Sequence, residues 1–459
     1  MFLVGCAPRV DPRAPFADVK RDLSSRISQE VVWDTGTEAD RQVRERVRAM
    51  LAAGEVSADK AVQVALLNNR KLRATYQRLG VAQADLVAAG LLKNPVFDAD
   101  LRFSTRGGGT GVDLSLLADF LDALFIPPRK HLAEAQLTQA KAEVTAAVLD
   151  LSAAVREGVY QLVAARETVE MRRAVVEATS ASAELARRLR EAGNLPELEL
   201  AAERAAYEQS KIDLSDAESQ VVQLHERLNA LMGIWGRDAQ WTVAARLPDL
   251  PENDPPVDAV ESQAIAKSLD LARSRAAVEV AAQRLGITRP LGWLSDLEVG
   301  AAAEREVSGG WSVGPAFSLP IPLFSQGQPA LVAAAARLQA AVDEDYAAAV
   351  AVRAAARAAW HRVTAARLSV VHYRQVVLPL RHTVTQEMQK RYNAMLVGAF
   401  DLLRARQQEI DAGAASVNAL RAYWLARARL ETIFAGRVPG GIGESWDAAP
   451  MRPDEGGHP

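Results

Sequence analysis

The tightest constraint on this chain is that most of it is written twice. Ala65, Leu66 and Leu72 recur as Ala264, Ile265 and Leu271, and Phe125, Leu132 and Ala135 recur as Phe324, Leu331 and Ala334, all at an offset of 199 residues. Leu200 and Tyr207 then correspond to Leu403 and Ile410, so the second copy has gained a few residues. A repeat on this scale overrides the prior of roughly three independent domains that length alone would give. The chain divides into an N-terminal extension with a lipobox (1–56), a first repeat (57–233), a Pro-rich joint (234–256), a second repeat (257–436) and a disordered C-terminal tail (437–459). Neither end has a sustained period, and both are expected to be loosely ordered or wrapped on the surface.

Each repeat reads as a helix of moderate length, two alternating strands with a Gly turn, a very long helix, a sharp turn and a second long helix. Apolar residues make up 49% of the chain but aromatics only 5%, so its hydrophobicity is largely Ala, Val and Leu, which favours helix. From Arg129 to Ala192 there is no proline and one glycine, Gly158, and from Gln328 to Val397 there is no glycine. Pro329 suits a first helical turn, whereas Pro379 predicts a kink or a junction between two helical segments. In the returning helices Leu200, Tyr207, Leu214, Val221 and Leu228 stand at strict sevens, with Leu224 and Leu231 as the partner position. Leu403, Ile410, Val417 and Trp424, with Leu420, form the counterpart. Strict sevens require a neighbouring helix, because a straight 3.6-residue helix rotates the stripe out of contact. Val144, Val148, Leu151, Val155, Val159 and Leu162 on the preceding helix supply that partner seam. Antiparallel coiled-coil hairpins follow, tipped at Gly193-Asn194-Leu195-Pro196 and near Gly398.

The strands have two chemically opposite faces. Phe97, Ala99, Leu101 and Phe103 alternate with Asp98, Asp100, Arg102 and Ser104, and after a Gly-rich turn Val112, Leu114 and Leu116 alternate with Asp113 and Ser115. In the second repeat Leu297, Val299, Ala301 and Ala303 lead through Gly309-Gly310 to Trp311, Val313, Phe317 and Leu319. Four such strands cannot close a membrane barrel, which needs about eight, and an open edge in lipid is forbidden, so the pattern demands oligomerisation. No run of about 18 apolar residues offers a spanning helix.

Cys6 is the sole cysteine, which excludes intrachain disulfides and Cys-based zinc or redox motifs. Leu3-Val4-Gly5-Cys6 has the form of a lipobox, and Pro8, Pro12 and Pro15 give the thiol no evident core to join. Lipidation at Cys6 is therefore expected, although the five residues before it are fewer than the n- and h-regions of a secretory signal need. The 54 basic and 57 acidic side chains leave a formal charge of -3, which gives no reason to expect a nucleic-acid partner. The six histidines show no metal-ligand spacing and read as mostly solvated helix positions, and His225-Glu226 lacks the second His of HExxH. The Gly-rich stretch 107–111 has no following Gly-Lys-Ser/Thr and reads as a turn, and no GxSxG elbow occurs. No catalytic constellation, cofactor or metal site is expected, and the chain is read as a non-enzyme.

The doubled plan resembles the TolC-like outer-membrane efflux family over roughly Ser57 to Gly436. Leu319-Pro320-Ile321-Pro322-Leu323-Phe324 with Gly327-Gln328 looks like that family's strand-to-helix junction. Leu378-Pro379-Leu380, Arg391-Tyr392 and Asp401-Leu402-Leu403 are similar to its periplasmic-tip passage, and Leu228-Asn229-Ala230-Leu231-Met232-Gly233 to the end of its first repeat. Met395 stands where the family often has glycine, so the tip turn is expected to differ. The resemblance implies a mainly α fold with a small β part: duplicated long coiled-coil hairpins and four strands per chain, contributing to a trimeric β-barrel and an α-helical tunnel. It implies a lipid-anchored outer-membrane conduit, a homotrimer partnered by a periplasmic adaptor and an inner-membrane efflux pump, with three copies of Asp401 at the periplasmic gate. The alternative for Asp401 is a solvated ion pair with Arg404, which replaces the family's second acid. The rival for the whole chain is a lipid-anchored or soluble coiled-coil scaffold, which accounts for the heptads but not the strands. A periplasmic adaptor would carry one hairpin, not two at a fixed offset.

Overall fold

The computed structural model describes residues 10–33, 36–103, 110–119, 122–255, 260–288, 298–306, 309–318 and 327–439. Cys6, the centre of the first Gly-rich turn, the Leu319–Phe324 motif and residues 440–459 lie outside them. In order the chain forms α1 (Phe16–Ser24), α2 (Thr37–Ala52), α3 (Ala58–Asn68), α4 (Arg70–Ala89), β1 (Val96–Phe103), β2 (Thr110–Ala118), α5 (Asp122–Glu191) and α6 (Glu197–Met232). The second half continues with α7 (Val260–Lys267), α8 (Leu269–Thr288), β3 (Glu298–Arg305), β4 (Trp311–Ser318), α9 (Gln328–His372), α10 (Leu378–Asn393) and α11 (Ala399–Phe434). Two compact units result, one from Met1–Arg21, Ala74–Thr145 and Leu269–Val350, the other from Asp22–Arg73, Ala146–Ser268 and Ala351–Pro459.

In the first unit the two hairpins merge into a single antiparallel sheet in the order β1-β2-β3-β4. The join is β2 against β3, with Leu114 opposite Ala303 and Leu116 opposite Ala301. Gly300 permits it, since a Cβ there would lie 1.9 Å from the Leu116 carbonyl oxygen. Helix α5 starts before the breaker-free stretch and runs through Pro127 and Pro128, whose missing N–H groups fall in its first two turns.

The second unit holds the coiled-coil core. Val144 at its border and Val148, Val155, Val159 and Leu162 on α5 are buried, as is Leu228 on α6, while Leu151 and most of the α6 seam are half-buried. Gly158 exists because Leu228 seats on it: an added Cβ would lie 2.9 Å from Leu228 Cδ2. In the second repeat the helix does not simply kink at Pro379. A single π turn, Tyr373–Val377, leads without a break into α10, and this irregular turn lies where the donor that Pro379 lacks would have bonded.

Of the two forms expected of it, loose order or a wrap on the surface, the N-terminal extension does not take the first over its described residues. It forms α1 and α2 and buries Val19, Leu23, Val31, Trp33, Val43 and Val47. Its apolar residues are too few and too irregularly spaced to show a period, yet these six are buried. The joint is pinned for a different reason. Proline carbonyls accept hydrogen bonds while proline donates none, and Pro248, Pro251 and Pro255 are met by Trp424 Nε1 at 2.8 Å, Arg367 Nη2 at 2.8 Å and Trp360 Nε1 at 3.0 Å. Asp254 then takes Tyr423 Oη at 2.6 Å and Arg427 Nη1 at 3.0 Å.

Candidate functional site

Strand alternation gives the sheet one apolar face, and that face is bare. Phe103 is 74% exposed, Trp311 56%, Val313 76% and Phe317 79%, with Phe97 and Leu101 on the same side. A bare apolar sheet face bordered by two unpaired edge strands, β1 and β4, is unstable in water and suited to lipid. The opposite face carries Asp98, Asp100, Asp113, Glu298 and Glu304 against Arg102. The register sets Asp100 opposite Asp113 and Asp113 opposite Glu304, so three carboxylates stand in a row across three strands. Arg102 relieves part of the repulsion, bonding Asp113 at 2.6 Å and lying 3.7 Å from Glu304.

All four long helical segments that reach a tip or a hairpin root end in the same backbone motif. Gly193, Gly233 and Gly436 have φ of 75°, 67° and 102°, and Met395 takes the same left-handed place with φ 58°. At the first tip Gly193 N–H bonds Arg190 O and Asn194 N–H bonds Leu189 O, both at 2.9 Å; at the second, Met395 bonds Tyr392 and Leu396 bonds Arg391, again at 2.9 Å. The tip turn therefore differs in side chain and not in hydrogen bonding. Met395 is the sole non-glycine at positive φ among the described residues and is almost fully exposed.

Asp401 lies in the first turn of α11, exposed, with Oδ2 accepting Gly398 N–H at 3.3 Å. It forms no ion pair with Arg404 among the described residues; the helix start, not the following arginine, engages its carboxylate. The two tips are braced unlike each other. Near the first, hydrogen bonds from Arg187 and Arg188 hold the Glu184 carboxyl down to about 2. At the second, α10 and α11 are tied by His382 Nδ1 to Glu409 Oε1 at 2.9 Å and Arg381 to Gln408 at 2.8 Å, while Arg406, on α11 itself, bonds Glu409 at 2.9 Å. Burial raises the Glu409 carboxyl, but the bonds from His382 and Thr385 and the Arg406 charge outweigh it and hold it below its usual value. His382 is thus a solvated helix position that also contacts the neighbouring helix. His225 likewise stacks on Trp241 with centroids 4.6 Å apart, and Asn229 between them accepts Trp241 Nε1 at 2.8 Å. Single isolated histidines carry no sequence signal for such contacts.

Among the described residues no helix is long and apolar enough to cross a membrane, and no group of three or more His, Cys, Asp and Glu could hold a metal ion.

Residues 61–234 match the family described as outer membrane efflux protein. The chain is 23% identical over 335 residues to the cobalt-zinc-cadmium resistance protein CzcC of Cupriavidus metallidurans, covering 72% of this chain and 78% of that one. Among solved structures, a membrane protein from Pseudomonas aeruginosa superposes with a TM-score of 0.67 at 18% identity over 82% of this chain and 93% of that one. The outer membrane protein VceC of Vibrio cholerae gives 0.64 at 19% identity over 83% and 96%.

Proposed function

We propose that this chain, a TolC-like outer-membrane efflux protein, is the passive outer-membrane conduit of a tripartite system, a homotrimer fed by a periplasmic adaptor and an inner-membrane pump. The observation that carries the reading is the bare apolar face of a four-stranded sheet with both edges open. Because β1 and β4 run antiparallel, β4 of one copy can pair with β1 of the next, and three copies close a twelve-stranded ring with its apolar face to lipid and its carboxylates inward. Exposed Leu198, Ile212 and Val222 on α6, and Leu368 and Leu380 beyond the sheet-bearing unit, leave apolar helix surface for neighbouring copies as well. In mild detergent the native mass should be that of three chains, and the band should resist SDS until heated. A chain that stays monomeric in the outer membrane, or runs at one mobility boiled or unboiled, would leave the coiled-coil scaffold as the better description.

Cys6 is proposed to carry lipid that tethers the N-terminus to the inner leaflet. Pro12 packs on Gly80 of α4, and the nine residues from there to Ala89 rise about 14 Å. Six residues from Pro12 back to Cys6 span up to about 20 Å, so the thiol can reach the level where α4 ends. Mass spectrometry of the natively expressed protein should find acylated Cys6; an unmodified thiol refutes the anchor, while Cys6→Ser should slow assembly without removing the protein from the membrane.

Asp401 is proposed to ring the periplasmic gate with its two symmetry mates. Because it also caps α11, Asp401→Asn is the informative variant: its amide oxygen still accepts Gly398 N–H while the charge is gone. Conductance of the closed channel should rise and cation preference should fall in planar bilayers. Equal conductance and equal reversal potential in parent and variant would make Asp401 a cap and nothing more. For cargo, the inward carboxylates and the name of the CzcC relative favour divalent metal cations; loss of the gene should then sensitise cells to cobalt, zinc or cadmium, and unchanged tolerance of all three would reject this.

A further inference from the structure

The two repeats close their hairpin roots with different chemistry, and the difference points to the N-terminal extension. In the first repeat the corner between α3 and α4 meets the end of α6, whose last carbonyls have no helical partner. Asn68 Nδ2 donates to Met232 O at 3.1 Å and Gly233 O at 2.6 Å, and Asn69 Nδ2 donates to Leu231 O at 2.8 Å. Asn69 Oδ1 also accepts Leu72 N–H at 2.8 Å, which starts α4. Two asparagines therefore fasten a helix end to a helix corner, and Gly233 lets them approach, since a Cβ there would lie 3.0 Å from Asn68 O.

In the second repeat the corner between α7 and α8 meets the end of α11 even more closely. A Cβ on Gly436 would lie 2.0 Å from Lys267 O. The asparagine positions, 199 residues on, are Lys267 and Ser268, and Lys267 is exposed. A donor reaches this corner from elsewhere in sequence. Arg26 Nη1 bonds Lys267 O at 2.6 Å and Ala435 O at 2.8 Å, and Ala435 precedes Gly436 as Met232 precedes Gly233. Arg26 Nε bonds Asp22 at 2.8 Å, which fixes the guanidinium, and the side chain is 12% exposed. The planar guanidinium has donors enough to bridge two carbonyls and a carboxylate at once.

We propose that Arg26 is the clamp of the second repeat, a positioning residue that does for α11 what Asn68 does for α6 and makes the N-terminal extension a working part of the hairpin that bears Asp401. The proposal stands on the fold and is independent of the gate assignment. Hydrogen exchange of the full-length protein in detergent tests it through the amides of Gly436 and Arg437, with those of Gly233 and Ile234 as the internal control. Arg26→Ala should speed exchange at Gly436 and Arg437 by about tenfold or more and leave Gly233 and Ile234 unchanged. Adding Lys267→Asn, which restores an amide donor at the position equivalent to Asn68, should bring the rate back to within about threefold of the parent. Unchanged exchange in Arg26→Ala overturns the proposal, and so does failure of Lys267→Asn to restore protection. Should Arg26→Ala not fold, the double variant decides alone: a folded double variant supports the clamp, an unfolded one overturns it.

Discussion

At the first hairpin tip the left-handed position belongs to Gly193 and the next helix starts behind Pro196, whereas at the second tip Met395 holds that position and Gly398 precedes the helix. The outgoing helix of the first hairpin, α5, is continuous to its tip, while that of the second passes through a π turn and a proline before reaching its own. Both tips nonetheless make the same two backbone hydrogen bonds at 2.9 Å. Duplication has kept the backbone motif and let the side chains drift, and the drift has put backbone strain and an irregular turn into the second hairpin. That is the hairpin that bears Asp401 and has a borrowed clamp at its root. Local strain is tolerated where the surrounding structure over-determines it, and it lowers the cost of moving.

The sharpest way to break the comparison is at the roots. Gly436→Ala should cost more than about 3 kcal/mol, because the new methyl meets a backbone carbonyl and the residue is held at positive φ; Gly233→Ala, with more room, should cost about 1–2 kcal/mol. Thermal unfolding followed by circular dichroism checks the ranking, and equal losses would mean that the roots are equally tight. At the tips the substitutions should act in opposite directions. Met395→Gly should stabilise the second turn by about 1 kcal/mol, and Gly193→Met should weaken the first by a similar amount, read from exchange of the Leu396 and Asn194 amides. If Met395→Gly slows no exchange, the left-handed methionine carries no strain.

The smallest effect concerns the tie between α10 and α11. Glu409, held below its usual value in the folded protein, contributes stability that is fully present above the ordinary carboxylate range and is lost as pH falls through its lowered value. Its partners are more than half exposed, so the contribution is about 0.5–1 kcal/mol. Glu409→Gln should therefore loosen the second hairpin at pH 5 and make progressively less difference toward pH 3, whereas a gap that is flat across this range would remove Glu409 from the tie. The corresponding first-hairpin variant, Glu184→Gln, should leave the α10 to α11 amides untouched at every pH.

What could be read before folding was whatever repeats locally. Leu200, Leu228 and Val417 announced the seam by their spacing, Phe97 to Phe103 announced a two-faced strand, and Gly193 marked a helix end by its conformational freedom. The rest depends on groups brought together from far apart. Nothing local marks Arg26 as a partner of Lys267 and Ala435, 241 and 409 residues away. Trp424 illustrates the boundary between the two: its heptad position placed it on the seam, but its indole N–H is spent on the Pro248 carbonyl. The bare face of the sheet was legible as alternation, yet the pairing of β2 with β3 required two hairpins more than 180 residues apart to meet.

The sequence by itself determined the element types, the duplication, the coiled-coil seams and the need of the strands for lipid and for neighbours, because each follows from periodicity or from residues lacking a polar or conformational option. Only the tertiary structure decided how the strands order into one sheet, that residues 10–33 become part of the fold, that Asp401 caps a helix instead of pairing with Arg404, and which residue closes each hairpin root. Those outcomes turn on carbonyls left unsatisfied at helix ends and beside prolines, and any donor that the packed chain brings within reach can meet them, whatever its place in the sequence.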